Sequence, residues 1–347
     1  MSASVAVGLI GAGWIGRFHG ESVALRIPGT RLVAVADPAP GAAASLIERV
    51  SPDARAYTDA RAYTDALELI ADPTVEAVLI STPASTHTDL VVAAAEAGKH
   101  VFCEKPMALT LEDADRAIGA CAANNVALQV GFNRRFAADF TAAHDVITAG
   151  GIGTPQLLRS LTRDPGITAD VASRVKPWTI FNETLIHDFD ALLWLNPGAR
   201  VVEVFAQADA LIHPQYKEQG YLDTSMVQLR FDNGALASAE ANFQATYGYD
   251  VRGEVFGSGG MVSAGEVTRT AMRHYSSPGV LADTPRVNIE LFHDAYVAQL
   301  AHFADCIRSG ATPSVGGIDA RNALEIALAA KESVETGLPV SLLSVPR

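Results

Sequence analysis

Val5-Ala6-Val7-Gly8-Leu9-Ile10-Gly11-Ala12-Gly13-Trp14-Ile15-Gly16 joins a short apolar, β-branched run to three spaced glycines. The run predicts a buried parallel strand, and Arg17–Leu25 beyond it reads as the first turns of a helix. Strand, G-x-G-x-x-G turn and helix in immediate succession form a pyrophosphate site. Gly11 permits the tight turn. Gly13 lets the backbone approach the ligand with no Cβ in the way, and Gly16 lets the helix pack on the strand. The helix N-terminus adds free N–H donors and partial positive charge.

The context supports this reading. Arg31-Leu32-Val33-Ala34-Val35-Ala36 reads as a second buried strand ending at Asp37, 24 residues after Gly13. An acid at that spacing meets an adenosine ribose: it accepts from both hydroxyls and repels a 2′-phosphate. Pro38-Ala39-Pro40 follows, with no Arg or Lys to welcome that phosphate. NAD is therefore favoured over NADP.

At 347 residues the chain is long enough for two domains. It is 49% hydrophobic and 19% charged, the balance of a globular protein. A net charge of −13 argues against nucleic acid or an anionic membrane surface as partner. No apolar run has the length of a membrane span, and the first strand begins too early to leave room for a signal peptide. Cys103, Cys121 and Cys306 are odd in number and scattered, which suggests neither a disulfide framework nor a zinc site. A cytoplasmic location is expected.

Up to Gly131 short apolar strands alternate with helical stretches, as in a parallel doubly wound sheet. Ala77–Ile80, His100–Cys103 and Val126–Val130 are strands; Ala42–Val50, Thr88–Ala97 and Leu111–Ala123 are helices. Ala54-Arg55-Ala56-Tyr57-Thr58-Asp59 recurs identically as Ala60–Asp65, a duplication read as lengthening a surface loop or helix start. Beyond Gly131 the strands Gln156–Thr162, Val201–Ala208, Ser225–Phe231, Leu236–Phe243, Val251–Phe256 and Val267–Tyr275 are joined by shorter links. Asp232-Asn233-Gly234 is a hairpin signal. Helices are expected at Ala137–Ala149, Glu183–Leu195, Tyr296–Arg308 and Ala320–Thr336. The fold class is α/β: a Rossmann dinucleotide-binding domain over 1–131, then an α+β substrate-binding and oligomerisation domain over 132–347 with a large, mainly antiparallel open sheet.

Three stretches could carry chemistry. Ser81-Thr82-Pro83-Ala84-Ser85-Thr86-His87 lies at a carboxyl strand end, where open parallel sheets bind ligands. Helix capping by Ser85 or Thr86 accounts for its hydroxyls, and His87 in a first helical turn suits a neutral role near the cofactor. Glu104-Lys105-Pro106 ends the next strand. Lys105 there can donate to a substrate hydroxyl or a ribose, or can simply pair with Glu104 at the surface; Cys103 reads as core. Glu183 and His187, at i and i+4, share a helix face, either as a base with its orienting carboxylate or as a structural pair. Ser258, among glycines in the antiparallel region, reads as a turn.

Taken in order, Gly11–Gly16, Thr82-Pro83 with His87, Glu104-Lys105-Pro106 and Glu183 with His187 resemble the glucose–fructose oxidoreductase/inositol dehydrogenase/rhizopine-catabolism (Gfo/Idh/MocA) family. Val130–Phe136, Leu185–Asp190 and Tyr247–Asp250 are most similar to bacterial inositol dehydrogenases. The resemblance implies an NAD-dependent dehydrogenase acting on a ring hydroxyl of a cyclitol or sugar, and a homotetramer built through the open face of the large sheet. It implies Lys105 and His187 as the catalytic pair, with Glu183 orienting His187 and with Arg134 and Tyr249 lining the polyol pocket. It also implies that Trp14, Ile15, Thr82, Pro83, His87 and Glu104 join the glycines and Asp37 at the cofactor. Two departures bear on the substrate. Glu183 stands where the family has aspartate, and Thr162-Arg163-Asp164-Pro165 stands where inositol dehydrogenases tend to read His-Arg-Asn-Pro. Both fall where ring hydroxyls would be read, Asp164 among them, so the choice among inositol isomers and sugars stays open. Two other readings are an NAD-using glycoside hydrolase and a non-catalytic sugar-responsive regulator.

Overall fold

Six strands of the first half pair in parallel. They are β1 (Val5–Ile10), β2 (Thr30–Ala36), β3 (Arg61–Tyr63), β4 (Ala77–Ile80), β5 (His100–Cys103) and β6 (Leu128–Val130), in the order β3-β2-β1-β4-β5-β6. The crossovers carry helices α1 (Trp14–Leu25), α2 (Ala42–Val50), α3 (Ala66–Ala71), α4 (His87–Glu96) and α5 (Leu111–Ala123). β1 and β4 are buried at every residue, which explains their unbroken apolar sequence. The computed structural model describes residues 4–50 and 60–342.

The chain divides into two units, Met1–Asn133 with Asp294–Arg321, and Arg134–His293 with Asn322–Arg347. The return of Asp294–Arg321 to the first unit is not foreseen by a single cut after residue 131. Its cause is packing: Leu300, Phe303 and Ala304 share a core with Val5, Leu9, Val23 and Leu46. An amphipathic helix announces that it has a buried face but not which sheet covers it.

The second unit contains α6 (Ala138–Thr148), β7 (Pro155–Arg163), α7 (Ala169–Ala172), α8 (Ile186–Trp194), β8 (Val201–Asp209), β9 (Thr224–Phe231), β10 (Leu236–Asn242), β11 (Asp250–Gly257) and β12 (Gly260–Ala264). After the small hairpin β13 (Arg273–Ser276) and β14 (Gly279–Ala282) come α9 (Asn288–Ser309), α10 (Gly317–Thr336) and β15 (Val340–Ser341). Its large sheet runs β12-β11-β7-β10-β9-β8-β15, antiparallel except where β7 meets β10. Gly234, at φ +88°, makes the β9–β10 hairpin turn. The strand expected over Val267–Tyr275 forms only from Arg273 onward and joins the separate hairpin. Its apolar residues are too sparse to offer the large sheet a buried face. Among the described residues no helix is long and apolar enough to cross a membrane.

The first copy of the duplicated hexapeptide, Ala54–Asp59, lies outside the described residues. The second builds the sheet edge β3 and supplies Asp65, whose carboxylate accepts the Leu67 N–H and caps α3. It therefore forms an edge strand and, at Asp65, the expected helix start. Tyr63 Oη and Arg61 Nη1 reach Asp72 Oδ2 at 2.9 and 3.1 Å, and Thr74 donates to Oδ1 through both its N–H and its hydroxyl. Burial pushes the Asp72 carboxyl up, but the Thr74, Tyr63 and Arg61 contacts together outweigh it and bring the value down to about 2 from 3.8. The folded value is depressed, so this stabilisation is complete above about pH 4 and is lost as the pH falls towards about 2. Asp72→Asn should lower the urea midpoint near neutrality and flatten its fall through that acid window, as read by denaturation at a series of pH values.

Candidate active site

Where β1 ends, Gly11 turns the chain at φ +95°, and a Cβ there would lie 2.7 Å from the Ser81 carbonyl oxygen. Strand order reverses between β1 and β4, so the glycine turn and the Ser81-Thr82 loop meet at the crevice where open α/β sheets take ligands. A Cβ on Gly16 would stand 1.9 Å from the Gly11 carbonyl oxygen, which is why only glycine fits. Nothing lies within 4 Å of a Cβ built on Gly13. That open space leaves its backbone free to face a ligand. α1, beginning at the exposed Trp14 and half-buried Ile15, has no side-chain cap and no acid in its first turn. Its N–H groups and dipole are left for an anion. Asp37 accepts the Ala12 and Ala39 N–H groups at 2.7 and 2.8 Å, which fixes its carboxylate beside the glycine turn. These residues fit a dinucleotide diphosphate and its ribose.

The next two strand ends differ from expectation in detail. Thr86 does not cap α4 with its side chain; its hydroxyl donates to the Pro83 carbonyl and meets Thr82 Oγ1 at 2.7 Å. His87 is buried, with Nδ1 and Nε2 each 2.8 Å from a carbonyl oxygen, of Pro106 and Thr82 respectively. Glu104 is also buried, and its Oε1 lies 2.6 Å from His19 Nε2. Both side chains placed at the cofactor by resemblance thus turn into the protein. Lys105 is half-buried. Burial pushes the Cys103 thiol well above its ordinary range, the state of a core residue rather than a nucleophile.

In the second unit the expected helix from Glu183 begins instead as a π-helical turn, Ile180–Leu185, that runs into α8. The chain enters it through Trp178 at φ +65°, a strained conformation for a bulky residue. The Trp178 carbonyl accepts the Phe181 and Asn182 N–H groups, and Lys331 Nζ stands 5.4 Å from its ring centroid. The wider turn alters the simple i, i+4 relation assumed for Glu183 and His187. Glu183 is exposed and His187 half-buried.

Arg134 lies beneath this helix rather than on an open wall. It is 2% exposed, and its guanidinium forks onto Asp188, Nη1 to Oδ1 at 2.7 Å and Nη2 to Oδ2 at 3.2 Å. Ser160 and Thr162 of β7 donate to the same carboxylate at 2.5 and 2.7 Å and accept from Arg134. Arg135 forks onto Asp190 in the same way, at 2.9 and 2.6 Å, with Trp194 against its guanidinium. The β7–β11 register ends with Arg163 paired to Asp250; beyond it the Asp164 N–H goes to the Asn242 carbonyl and the Tyr249 N–H to the Pro285 carbonyl. Thr162, two residues before Asp164, touches the carboxylate next to His187. Asp164 and Tyr249 thus each adjoin the last residue pair of that ladder.

Residues 5–132 match the family model described as "Oxidoreductase family, NAD-binding Rossmann fold", and residues 140–263 match that of the GFO/IDH/MocA C-terminal domain. The chain belongs to the GFO/IDH/MocA oxidoreductase family. It is similar to a myo-inositol 2-dehydrogenase of Thermotoga maritima, with 37% identity over 98% of this chain and 99% of that one. A scyllo-inositol 2-dehydrogenase (NAD(+)) of Bacillus subtilis is 36% identical over 99% and 97% of the two chains. A solved myo-inositol dehydrogenase of Lactobacillus casei, in complex with NAD(H) and myo-inositol, superposes with a TM-score of 0.88 at 25% identity, covering 99% of this chain and 98% of that one.

In this GFO/IDH/MocA chain the motifs do not mark His19 and Ser160, and they carry Thr162 and Asp188 without marking them as partners of Arg134. A signal existed for one of them. Asp188 and Asp190 sit in an otherwise apolar helix with Phe189 and Leu192, and charges on such a face need buried partners. Arg134-Arg135 are those partners. Nothing local marks the bonds of His19, Ser160 and Thr162, which are made across long sequence separations.

Proposed function

We propose that this protein oxidises a ring secondary hydroxyl of a cyclitol or a related sugar to a ketone, using NAD. One observation carries the reading: a chain 36–37% identical to inositol 2-dehydrogenases along almost its whole length carries both proton-handling side chains, Lys105 and His187. His187 takes the hydroxyl proton, Glu183 orients its ring, and Lys105 holds the reacting oxygen as its charge grows. NAD, when bound, supplies the hydride acceptor. Gly11, Gly13, Gly16 and the first turn of α1 hold the diphosphate, Asp37 reads the ribose, and Thr82-Pro83 border the crevice. Asp164 and Tyr249 contact the ring hydroxyls. Arg134 serves the same pocket from below, through Asp188.

The outer face of the large sheet supports the proposed homotetramer. Met261, Phe256, Leu157 and Leu236 are cross-strand neighbours in one row, each about half exposed. A contiguous apolar row on an open sheet face is the kind of surface that subunits bury against one another. A cytoplasmic location is proposed with it.

The deciding assay follows NADH formation with inositol isomers and aldoses under NAD and NADP. Turnover of at least one cyclitol or sugar, faster with NAD, is expected. Cleavage of aryl glycosides without net NADH, or no turnover of any polyol, overturns the proposal.

A further inference from the structure

Two histidines outside the proposed chemistry bracket the Glu104-Lys105-Pro106 turn. His19 rides on α1, the helix that opens at the glycine turn, and is fully enclosed. Its Nε2 lies 2.6 Å from Glu104 Oε1, while Glu104 Oε2 accepts the Lys105 N–H at 3.3 Å. The edges of Phe18, Phe102 and Tyr296 surround the imidazole at centroid distances of 5.7–6.2 Å, and Nδ1 has no hydrogen-bond partner. A buried N–H without an acceptor costs more than a bare lone pair. The proton therefore sits on Nε2 and is donated to the carboxylate. Gly131 backs that carboxylate so closely that a Cβ would stand 3.0 Å from Oε2.

His87 holds the other side. Its Nδ1 reaches the Pro106 carbonyl, one residue past Lys105, and its Nε2 reaches the Thr82 carbonyl in the loop facing Gly11. A neutral ring has one N–H and makes one of these bonds; the imidazolium makes both. Glu104, before Lys105, is thus tied to α1, and Pro106, after it, lies within hydrogen-bond reach of the first residue of α4.

We propose that His19 and His87 are positioning residues that set Lys105 relative to the dinucleotide loops. The inference rests on the reading of Lys105 as the group that holds the reacting oxygen. Neither histidine touches the substrate. They act through Glu104 and through the Pro106 carbonyl, and a displacement of about 1 Å at a reacting group can cost about 10²-fold in rate.

Amide isosteres test this atom by atom, because a Gln side chain mimics Nε2 of histidine and an Asn side chain mimics Nδ1. His19→Gln keeps the bond to Glu104 and His19→Asn loses it; each His87 amide keeps one bond, His87→Asn the one to Pro106 and His87→Gln the one to Thr82. His19→Asn and His87→Gln, which release Glu104 and Pro106 on either side of Lys105, should drop in kcat by about 10²-fold, and His19→Gln and His87→Asn by no more than about tenfold. NAD dissociation constants and melting temperatures should stay matched within each pair. A structural role alone would treat the two members of a pair alike. Gly131→Ala presses on the Glu104 carboxylate without touching either histidine and should lower kcat by about tenfold at unchanged NAD affinity, so the question stays answerable should a histidine variant not fold. Equal kcat within both pairs, or an unaffected Gly131→Ala enzyme, overturns the inference while an inactive Lys105→Ala leaves the catalytic reading standing. An active Lys105→Ala overturns both.

Discussion

Lys105→Ala should abolish dehydrogenation and leave NAD binding intact. In the proposed reaction the ammonium donates to an oxygen whose negative charge grows as its proton leaves, and a positioned acid–base group contributes about 10² to 10⁴ in rate. The dinucleotide half-site is built from other parts: the Gly11–Gly16 turn, the uncapped start of α1 and the Asp37 carboxylate held by Ala12. Loss is therefore expected in kcat, with the NAD dissociation constant unchanged by fluorescence titration. Lys105→Arg should not restore activity, because a planar fork replaces a compact point charge. Turnover by Lys105→Ala within about tenfold of the parent enzyme, well short of the contribution such a group makes, removes lysine from the mechanism.

Arg134→Ala should fail in a different way. If Arg134 met the polyol, its loss would raise the KM for the polyol and spare the fold. In the structure it neutralises Asp188 in a setting where both side chains are at most 3% exposed. Removing one partner of a buried pair costs about 3–5 kcal/mol, because the other charge is left in the interior. An exposed ion pair is worth at most about 1 kcal/mol, so the size of the loss reports where the pair lies. The expected result is a large drop in the urea midpoint, together with a lower kcat as α8 and His187 lose their anchor on β7. Arg134→Lys should recover little, because an ammonium cannot reproduce both parallel N–H···O bonds. A stable Arg134→Ala protein with a raised KM for the polyol would return this residue to the pocket wall.

These two residues show where a linear reading ends. Gly11, Gly13 and Gly16 could be assigned from their spacing because the turn, the closeness to the diphosphate and the packing of α1 on β1 are all contacts over a few residues. Asp37 could be assigned because β2 is short and its end is marked by a proline. Lys105 and His187 are carried by compact motifs, which are among those that carry the family resemblance. Arg134 carried a motif as well, yet its partner lies 54 residues away and its role follows from burial, which the motif does not encode. Glu104 is the same case, with His19 at a separation of 85.

The amino-acid order by itself determined the strand–turn–helix that receives a dinucleotide, the parallel first sheet, the hairpin at Asn233-Gly234 and the residues able to move a proton. Each depends on periodicity, glycine conformation or side-chain chemistry, all of which act over short stretches of chain. Only the tertiary structure decided that α9 returns to the first core, that the Glu183 helix starts as a π-turn, and that Arg134, Glu104 and His87 are spent on protein partners. The α9 return is set by apolar packing on the first core, and the fates of Arg134, Glu104 and His87 by which buried polar group finds which partner across 19 to 85 residues of intervening chain. Desolvation enforces such pairings, and it acts only once the chain has closed around them.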